Sequence, residues 1–305
     1  MSRRFVAAAA QLGPIERDEP RASVVARLLA LLETARRRDV RFVVFPELAL
    51  TTFFPRWWIA DEAELDRFYE RAMPNADVAP LFAAARAGGI GFHLGYAELT
   101  ETAAGKIRHN TAILVDGEGR IGLKYRKIHL PGHREHEPAL PFQHLEKRYF
   151  VRGDLGFPVA DFMGGKAGIL ICNDRRWPEA FRSLGLQGAE MVAVGYNTPQ
   201  HYPRAPEHDR LQDFHNHLSL QAGAYQNGTY VIGAAKAGFE GGCELIGGSC
   251  VVAPTGEILA VAATRGDELV AAEVDLDRCR EIKANIFNFA LHRQPDAYGL
   301  LTKVG

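Results

Sequence analysis

Apolar residues along this chain recur in two rhythms, and the rhythms alternate. Phe5 to Leu12 is a short, nearly continuous apolar run that reads as a buried strand. Between Ala22 and Arg38, Val24, Val25, Leu28, Leu29, Leu31 and Leu32 return at helical spacing. Arg36 to Arg38 stand in the last turn of that helix, where cations suit the negative end of its dipole. Phe42 to Phe45 is apolar throughout and stops at Pro46-Glu47. Strand, helix, strand predicts an α/β architecture.

The alternation continues. Helices are expected over Asp61 to Arg71 and Val78 to Ala87, the second halted by Gly88-Gly89, and a strand over Ile90 to Leu99. Thr111 to Val115 and Ile121 to Tyr125, joined by Asp116-Gly117-Glu118-Gly119, read as a hairpin. Lys166 to Ile171 is a strand that ends at Cys172. Trp177 to Leu186 follows as a helix with Pro178 in its first turn. Met191 to Val194 is a strand running toward Tyr196-Asn197-Thr198-Pro199, Asp213 to Tyr225 a helix, and Tyr230 to Ala235 a strand. A second hairpin, Cys250 to Ala253 and Glu257 to Ala262 around Pro254-Thr255-Gly256, echoes the first and hints at two related halves. Residues 128–158 break the rhythm with Pro131, Pro138, Pro141, Pro158 and several histidines, and long irregular segments in compact enzymes are often functional. With no linker and no short-period repeat, residues 1–305 are read as one domain.

Composition narrows the classes. The 36 Lys and Arg balance 37 Asp and Glu, a net charge of −1, which argues against a general nucleic-acid binder. The apolar run at the N-terminus meets Gln11 and Gly13-Pro14 and is too short for a membrane span. The four cysteines, Cys172, Cys243, Cys250 and Cys279, form no C-x-x-C pair, so a reducing, cytoplasmic setting is expected. The chain has no dinucleotide fingerprint, phosphate-binding loop, serine nucleophile elbow or H-E-x-x-H. His129, His133 and His136 form one cluster and His201, His208, His215 and His217 another. Pro131-Gly132 interrupts the helix that a ligand pair would use, so structural hydrogen bonding is expected rather than a metal.

Candidate chemistry lies at strand ends. Glu47, Cys172 and Asn197 each follow the C-terminal end of an apolar strand, where open α/β sheets gather ligands. Cys172 precedes a helix start and is followed by Arg175 and Arg176; a nucleophilic thiolate needs such positive surroundings, whereas a core cysteine needs none. Glu47 sits between apolar segments, and burial would raise its pKa into a range useful for proton transfer. Lys124, Arg126 and Lys127 are compatible with a solvated charge run or with one oxyanion-stabilising lysine, and the pattern does not choose among them.

Together, Val-Val-Phe-Pro-Glu47, Lys-Tyr-Arg-Lys127-Ile-His-Leu and Gly-Ile-Leu-Ile-Cys172 resemble the Glu, Lys and Cys motifs of the nitrilase superfamily of carbon–nitrogen hydrolases. The stretches 45–57, 141–150, 172–179, 195–199 and 292–295 look most like its N-carbamoyl-D-amino acid amidohydrolase branch. That resemblance implies a four-layer αββα sandwich, no metal or organic cofactor, and a homodimer or homotetramer with a C-terminal segment, about 276–305, in subunit contacts. It implies a catalytic set of Glu47, Lys127 and Cys172 with a second carboxylate, Glu146. The substrate would be an N-carbamoyl-D-amino acid, its carboxylate clamped by Arg175 and Arg176. Asn173, Asn197 and Thr198 would line the pocket, and His129, His144 and His215 would organise it. Other superfamily members (a β-ureidopropionase, an aliphatic amidase, a nitrilase) and a catalytically silent scaffold are the alternatives.

Overall fold

A computed structural model describes residues 3–103 and 105–303. Its strands are β1 (Arg4–Gln11), β2 (Val40–Val44), β3 (Gly91–Thr102), β4 (Gly105–Val115), β5 (Ile121–Arg126), β6 (Val159–Phe162), β7 (Gly165–Ile171), β8 (Met191–Tyr196), β9 (Tyr230–Ala235), β10 (Ala237–Glu240), β11 (Cys243–Ile246), β12 (Cys250–Val252), β13 (Ile258–Val261) and β14 (Glu268–Asp275). The helices are α1 (Arg21–Arg37), α2 (Glu62–Asp66), α3 (Ala79–Gly88), α4 (Glu146–Tyr149), α5 (Pro178–Leu186), α6 (Gln212–Asn227), α7 (Asp277–Asn285) and α8 (Phe289–His292).

The strands form two six-stranded sheets, ordered β14-β1-β2-β3-β4-β5 and β13-β12-β9-β8-β7-β6, with β10 and β11 as a separate hairpin. Alternation along the strands separates the layers. Ala7, Ala9, Phe42 and Val44 face the second sheet, whose Ile169, Ile171 and Val194 join them in one core. Ala8, Ala10, Val43 and Phe45 face the other way, under Leu28, Leu32 and Ala35 of α1 and Phe82 of α3. On the far side, Ala180, Phe181 and Leu184 of α5 and Leu220 and Ala224 of α6 cover the second sheet. Strands buried on both faces read as continuous apolar runs, which is why β1 and β2 show so little polar alternation. The result is the expected αββα sandwich.

The two halves correspond. In the first sheet, parallel strands β1, β2 and β3 are extended by the antiparallel pair β4–β5, and β14 lies antiparallel beside β1. In the second, parallel β7, β8 and β9 are extended by β12–β13, with β6 antiparallel beside β7. The echo between the two hairpins is therefore a repeat of topology. One expectation needs correction: the helix over 61–71 is only α2, capped by Asp61, whose side chain accepts the N–H of Ala63. Beyond it Phe68 stacks on Phe54 and Tyr69 packs tilted against the same ring, and tertiary packing of these rings replaces the helix. Among the described residues, no helix is long and apolar enough to cross a membrane.

Candidate active site

The site forms where β2, β5, β7 and β8 end. Glu47 enters it because the chain leaves β2 between the two sheets. A Cβ on Gly95 would lie 2.6 Å from the Pro46 carbonyl oxygen, and one on Gly195 2.6 Å from the Glu47 nitrogen, so both strands carry glycine where Pro46-Glu47 passes. Cys172 turns out of β7 with φ of +47°, a left-handed conformation that L-residues rarely adopt. The carboxylate of Asp174 holds this turn. It accepts the N–H of Ile171 at 3.1 Å, the hydroxyl of Tyr125 at 2.8 Å, and both the backbone N–H and Nδ1 of His129, at 2.9 and 2.8 Å. The nucleophile turn is thereby joined to the loop that carries Lys127.

Glu47, Lys127 and Glu146 are buried together. Lys127 Nζ donates to Glu47 Oε1 at 2.7 Å and to Glu146 Oε2 at 2.6 Å. Of the three neighbouring cations left open by the sequence, Lys127 turns inward, while Lys124 and Arg126 pair with Glu98. Glu47 also accepts from Asn110 Nδ2 at 2.8 Å and from the backbone N–H of Asn197 at 3.1 Å, and Asn197 Nδ2 donates to the Glu47 carbonyl at 2.9 Å. His144 Nε2 lies 3.2 Å from Glu146 Oε1.

One ammonium between two carboxylates separates their roles. Burial raises the pKa of Glu47 above the ordinary glutamate value, with the charge of Lys127 opposing. Burial would raise Glu146 as well, but Lys127 and the hydrogen bond from His144 outweigh it and hold that carboxyl below its ordinary value. The site therefore contains one carboxylate fit to take up a proton and one that stays ionised. Lys127 is held firmly protonated, since its two carboxylates outweigh the burial that opposes its charge. The Cys172 thiol is pushed up, by burial first and then by Glu47, so it is a thiol that needs a base rather than a resting thiolate.

Above this buried floor opens a cavity of about 740 Å³. Cys172, Asn173, Asn197, Thr198 and His144 lie at its base, His215 and Gln212 on the α6 side, and Leu130, Leu140, Phe142, Trp177 and Tyr202 on its walls. Arg176 and Lys147 reach into it, and no Asp or Glu among the described residues lines it. Neither cation has an ion-pair partner among the described residues. Arg176 is exposed at the cavity edge, where desolvation and the neighbouring Arg175 lower its pKa, a repulsion that a bound anion relieves.

The two-arginine clamp is corrected by the structure. Arg175 is buried and does not line the cavity, and its donors are already engaged: Nε with Asn216 Oδ1 at 3.0 Å, one terminal nitrogen with the Cys172 carbonyl at 2.7 Å and 3.8 Å from Cys172 Sγ, the other with Thr198 Oγ1 at 2.8 Å. Its guanidinium also lies 4.5 Å from the centre of the Tyr196 ring. Arg175 ties the nucleophile turn to the end of β8 and to α6. His129 likewise stands behind the cavity wall, stacked on Trp177 with ring centres 5.1 Å apart.

Asn110, Asp174 and Asn216 are absent from the expected set. Asp174 had a local signal, an acidic residue at the third position of a turn, where it can cap the preceding N–H groups. Asn110 sits inside a strand, and only the partner that reaches it from the end of β2, two strands away in the same sheet, distinguishes it.

Comparison with known proteins agrees with this architecture. The carbon-nitrogen hydrolase family model matches residues 6–284. The chain is 31% identical to a nitrilase of Pyrococcus abyssi over 259 residues, covering 85% of this chain and 86% of the relative. It is 28% identical to the N-carbamoylputrescine amidase of Solanum lycopersicum over 295 residues, covering 91% and 89%. The crystal structure of a carbon-nitrogen hydrolase from Helicobacter pylori G27 superposes with a TM-score of 0.84 at 26% identity, covering 99% of each chain. The chain belongs to the carbon-nitrogen hydrolase family, the nitrilase superfamily.

Proposed function

We propose that this hydrolase cleaves N-carbamoyl-D-amino acids to the D-amino acid, ammonia and carbon dioxide. The observation that carries the substrate class is the cavity lining. It joins Cys172 to the unpaired cations Arg176 and Lys147 and contains no carboxylate, which suits an anionic substrate and opposes an amine such as carbamoylputrescine. A ureido group is supported by the N-carbamoylputrescine amidases among the relatives. The D configuration rests on the resemblance of the motifs quoted above.

In this reading Glu47 takes the proton of the Cys172 thiol as Sγ attacks the ureido carbon. Lys127 Nζ and the backbone N–H of Asn173 hold the developing oxyanion. The tetrahedral adduct collapses, one C–N bond breaks, and Glu47 returns its proton to the leaving nitrogen. A water deprotonated by Glu47 then attacks the Cys172-bound carbonyl and releases the thiol. The carbamic acid or N-carboxy amino acid so released loses carbon dioxide and frees the second nitrogen, so whichever nitrogen departs first the products are the same. Glu146 keeps Lys127 charged and aimed. Arg176 binds the substrate carboxylate, with Thr198 held beside it by Arg175.

The test is ammonia release from N-carbamoyl-D- and L-amino acids and from N-carbamoylputrescine, with Cys172→Ala as the blank and Arg176→Ala beside it. The expected result is turnover of the D form, with KM raised about tenfold or more in Arg176→Ala, the loss of a charged hydrogen bond. Equal turnover of the putrescine derivative, or an unchanged KM without Arg176, overturns the reading.

A further inference from the structure

Away from the cavity lies a second fully buried lysine. Lys236 follows β9; its Nζ donates to the Thr51 carbonyl and lies 3.2 Å from Glu240 Oε2. Glu240 closes β10. Its carboxylate also accepts the backbone N–H of Phe53 at 2.7 Å and of Ile15 at 2.9 Å. Arg56 stands 4.0 Å from the same carboxylate and donates to the Glu240 carbonyl at 3.1 Å.

Three of these contacts, through Thr51, Phe53 and Arg56, grip the segment that leaves Glu47, where the only regular structure is one short turn at Phe54–Arg56. That segment then carries the other carboxylate. The carbonyl of Pro55 accepts the N–H of Leu145 at 2.8 Å, and that of Arg56 accepts the N–H of Gln143 at 3.0 Å. Leu145 immediately precedes Glu146. Buried hydrogen bonds and the short stretches of chain between them thus link Glu240 to the backbones on both sides of Lys127.

We propose that Glu240 is a positioning residue that sets the separation of Glu47 and Glu146 about Lys127 by fixing residues 51–56. This rests on the roles given above to those three groups. The geometry has a reason to need it. Two carboxylates share one ammonium at hydrogen-bond distance, and a displacement of roughly 1 Å in such a set can cost about a hundredfold in rate.

The experiment compares Glu240→Gln and the paired variant Lys236→Met with Glu240→Gln, which removes the Lys236–Glu240 ion pair together and leaves Arg56, still donating to the carbonyl of position 240, as the one charge of the cluster. Circular dichroism and a thermal melt verify folding. Two readouts follow: turnover of the substrate identified above, and the pH dependence of Cys172 alkylation by iodoacetamide, which requires no substrate. Expected is a folded paired variant with kcat reduced about tenfold or more, KM within about threefold of wild type, and an alkylation midpoint moved by about half a pH unit or more, the mark of a disturbed carboxylate set. A folded paired variant with wild-type kcat and an unmoved alkylation profile overturns the proposal. Glu47→Gln is the control: if it too leaves the alkylation profile and turnover unchanged, the failure lies with the catalytic reading and not with Glu240.

Discussion

Among the described residues, Lys127 and Lys236 are both fully buried, and their surroundings are opposite. Lys127 has two carboxylates to one ammonium, with a thiol close by. At Lys236 a single carboxylate, Glu240, serves two cations, Lys236 and Arg56, and two backbone N–H groups besides. The protonation behaviour follows. Lys127 is held charged while Glu47 is raised; burial lowers the pKa of Lys236, and Glu240 is held below its ordinary value by its two cations despite its burial. An excess of acid over base leaves one carboxyl able to exchange a proton, which is what catalysis needs. An excess of donors over one carboxylate leaves nothing to exchange, which is what an anchor needs. Similar buried ion pairs therefore do different work because of stoichiometry, not residue type.

Four outcomes would break or sharpen this contrast. The largest effect is expected from Glu240→Ala, which strands two buried cations: stability should fall by about 3–5 kcal/mol, read as a lowered denaturant midpoint. A midpoint near wild type would mean that this cluster anchors nothing. Next, Lys127→Met should cut kcat by about a hundredfold to a thousandfold, the usual loss on removing an oxyanion donor; steady-state kinetics on the folded variant would show whether the lysine acts in the reaction or only in packing.

Smaller and of opposite sign is Glu47→Gln. A carboxyl whose native pKa lies above its unfolded value binds more protons folded than unfolded, so it favours folding as pH falls and burdens it near neutrality. Gln removes that burden while Lys127 keeps Glu146, so the variant should lose turnover yet match or exceed wild-type stability, by up to about 1 kcal/mol. A marked drop in melting temperature would place Glu47 with the anchors. The subtlest signature is the acid limb of kcat/KM. Because Glu47 must be ionised to take the thiol proton and its pKa is raised, activity should rise through a midpoint above 4.5, the ordinary glutamate value. A limb at or below that value would assign the base elsewhere.

Much of this was legible in the chain. The doubly buried strands announced themselves as apolar runs, and the residues just past them, Glu47, Cys172 and Asn197, were marked by position alone. The likeness of the two hairpins pointed to a repeated half that the strand order then displayed. The edge strand β14 was not anticipated. Its inner and outer faces are only partly buried, so its apolar pattern is weak, and its register against β1 joins residues more than 250 positions apart, as in Arg4 opposite Asp275.

What the sequence determined by itself is what depends on neighbours along the chain: the period of burial, the strand end that carries Cys172, and the residue types available for the chemistry. What only the tertiary structure decided is pairing between residues far apart along the chain. Sequence could not say which of Lys124, Arg126 and Lys127 turns inward, because the choice is made by Glu47 and Glu146, 80 and 19 positions away. Nor could it say that Arg175 supports the site while Arg176 faces the cavity. Adjacent residues of one type have the same local propensity, and what separates them is that Cys172, Thr198 and Asn216 occupy one guanidinium and leave the other free for an anion.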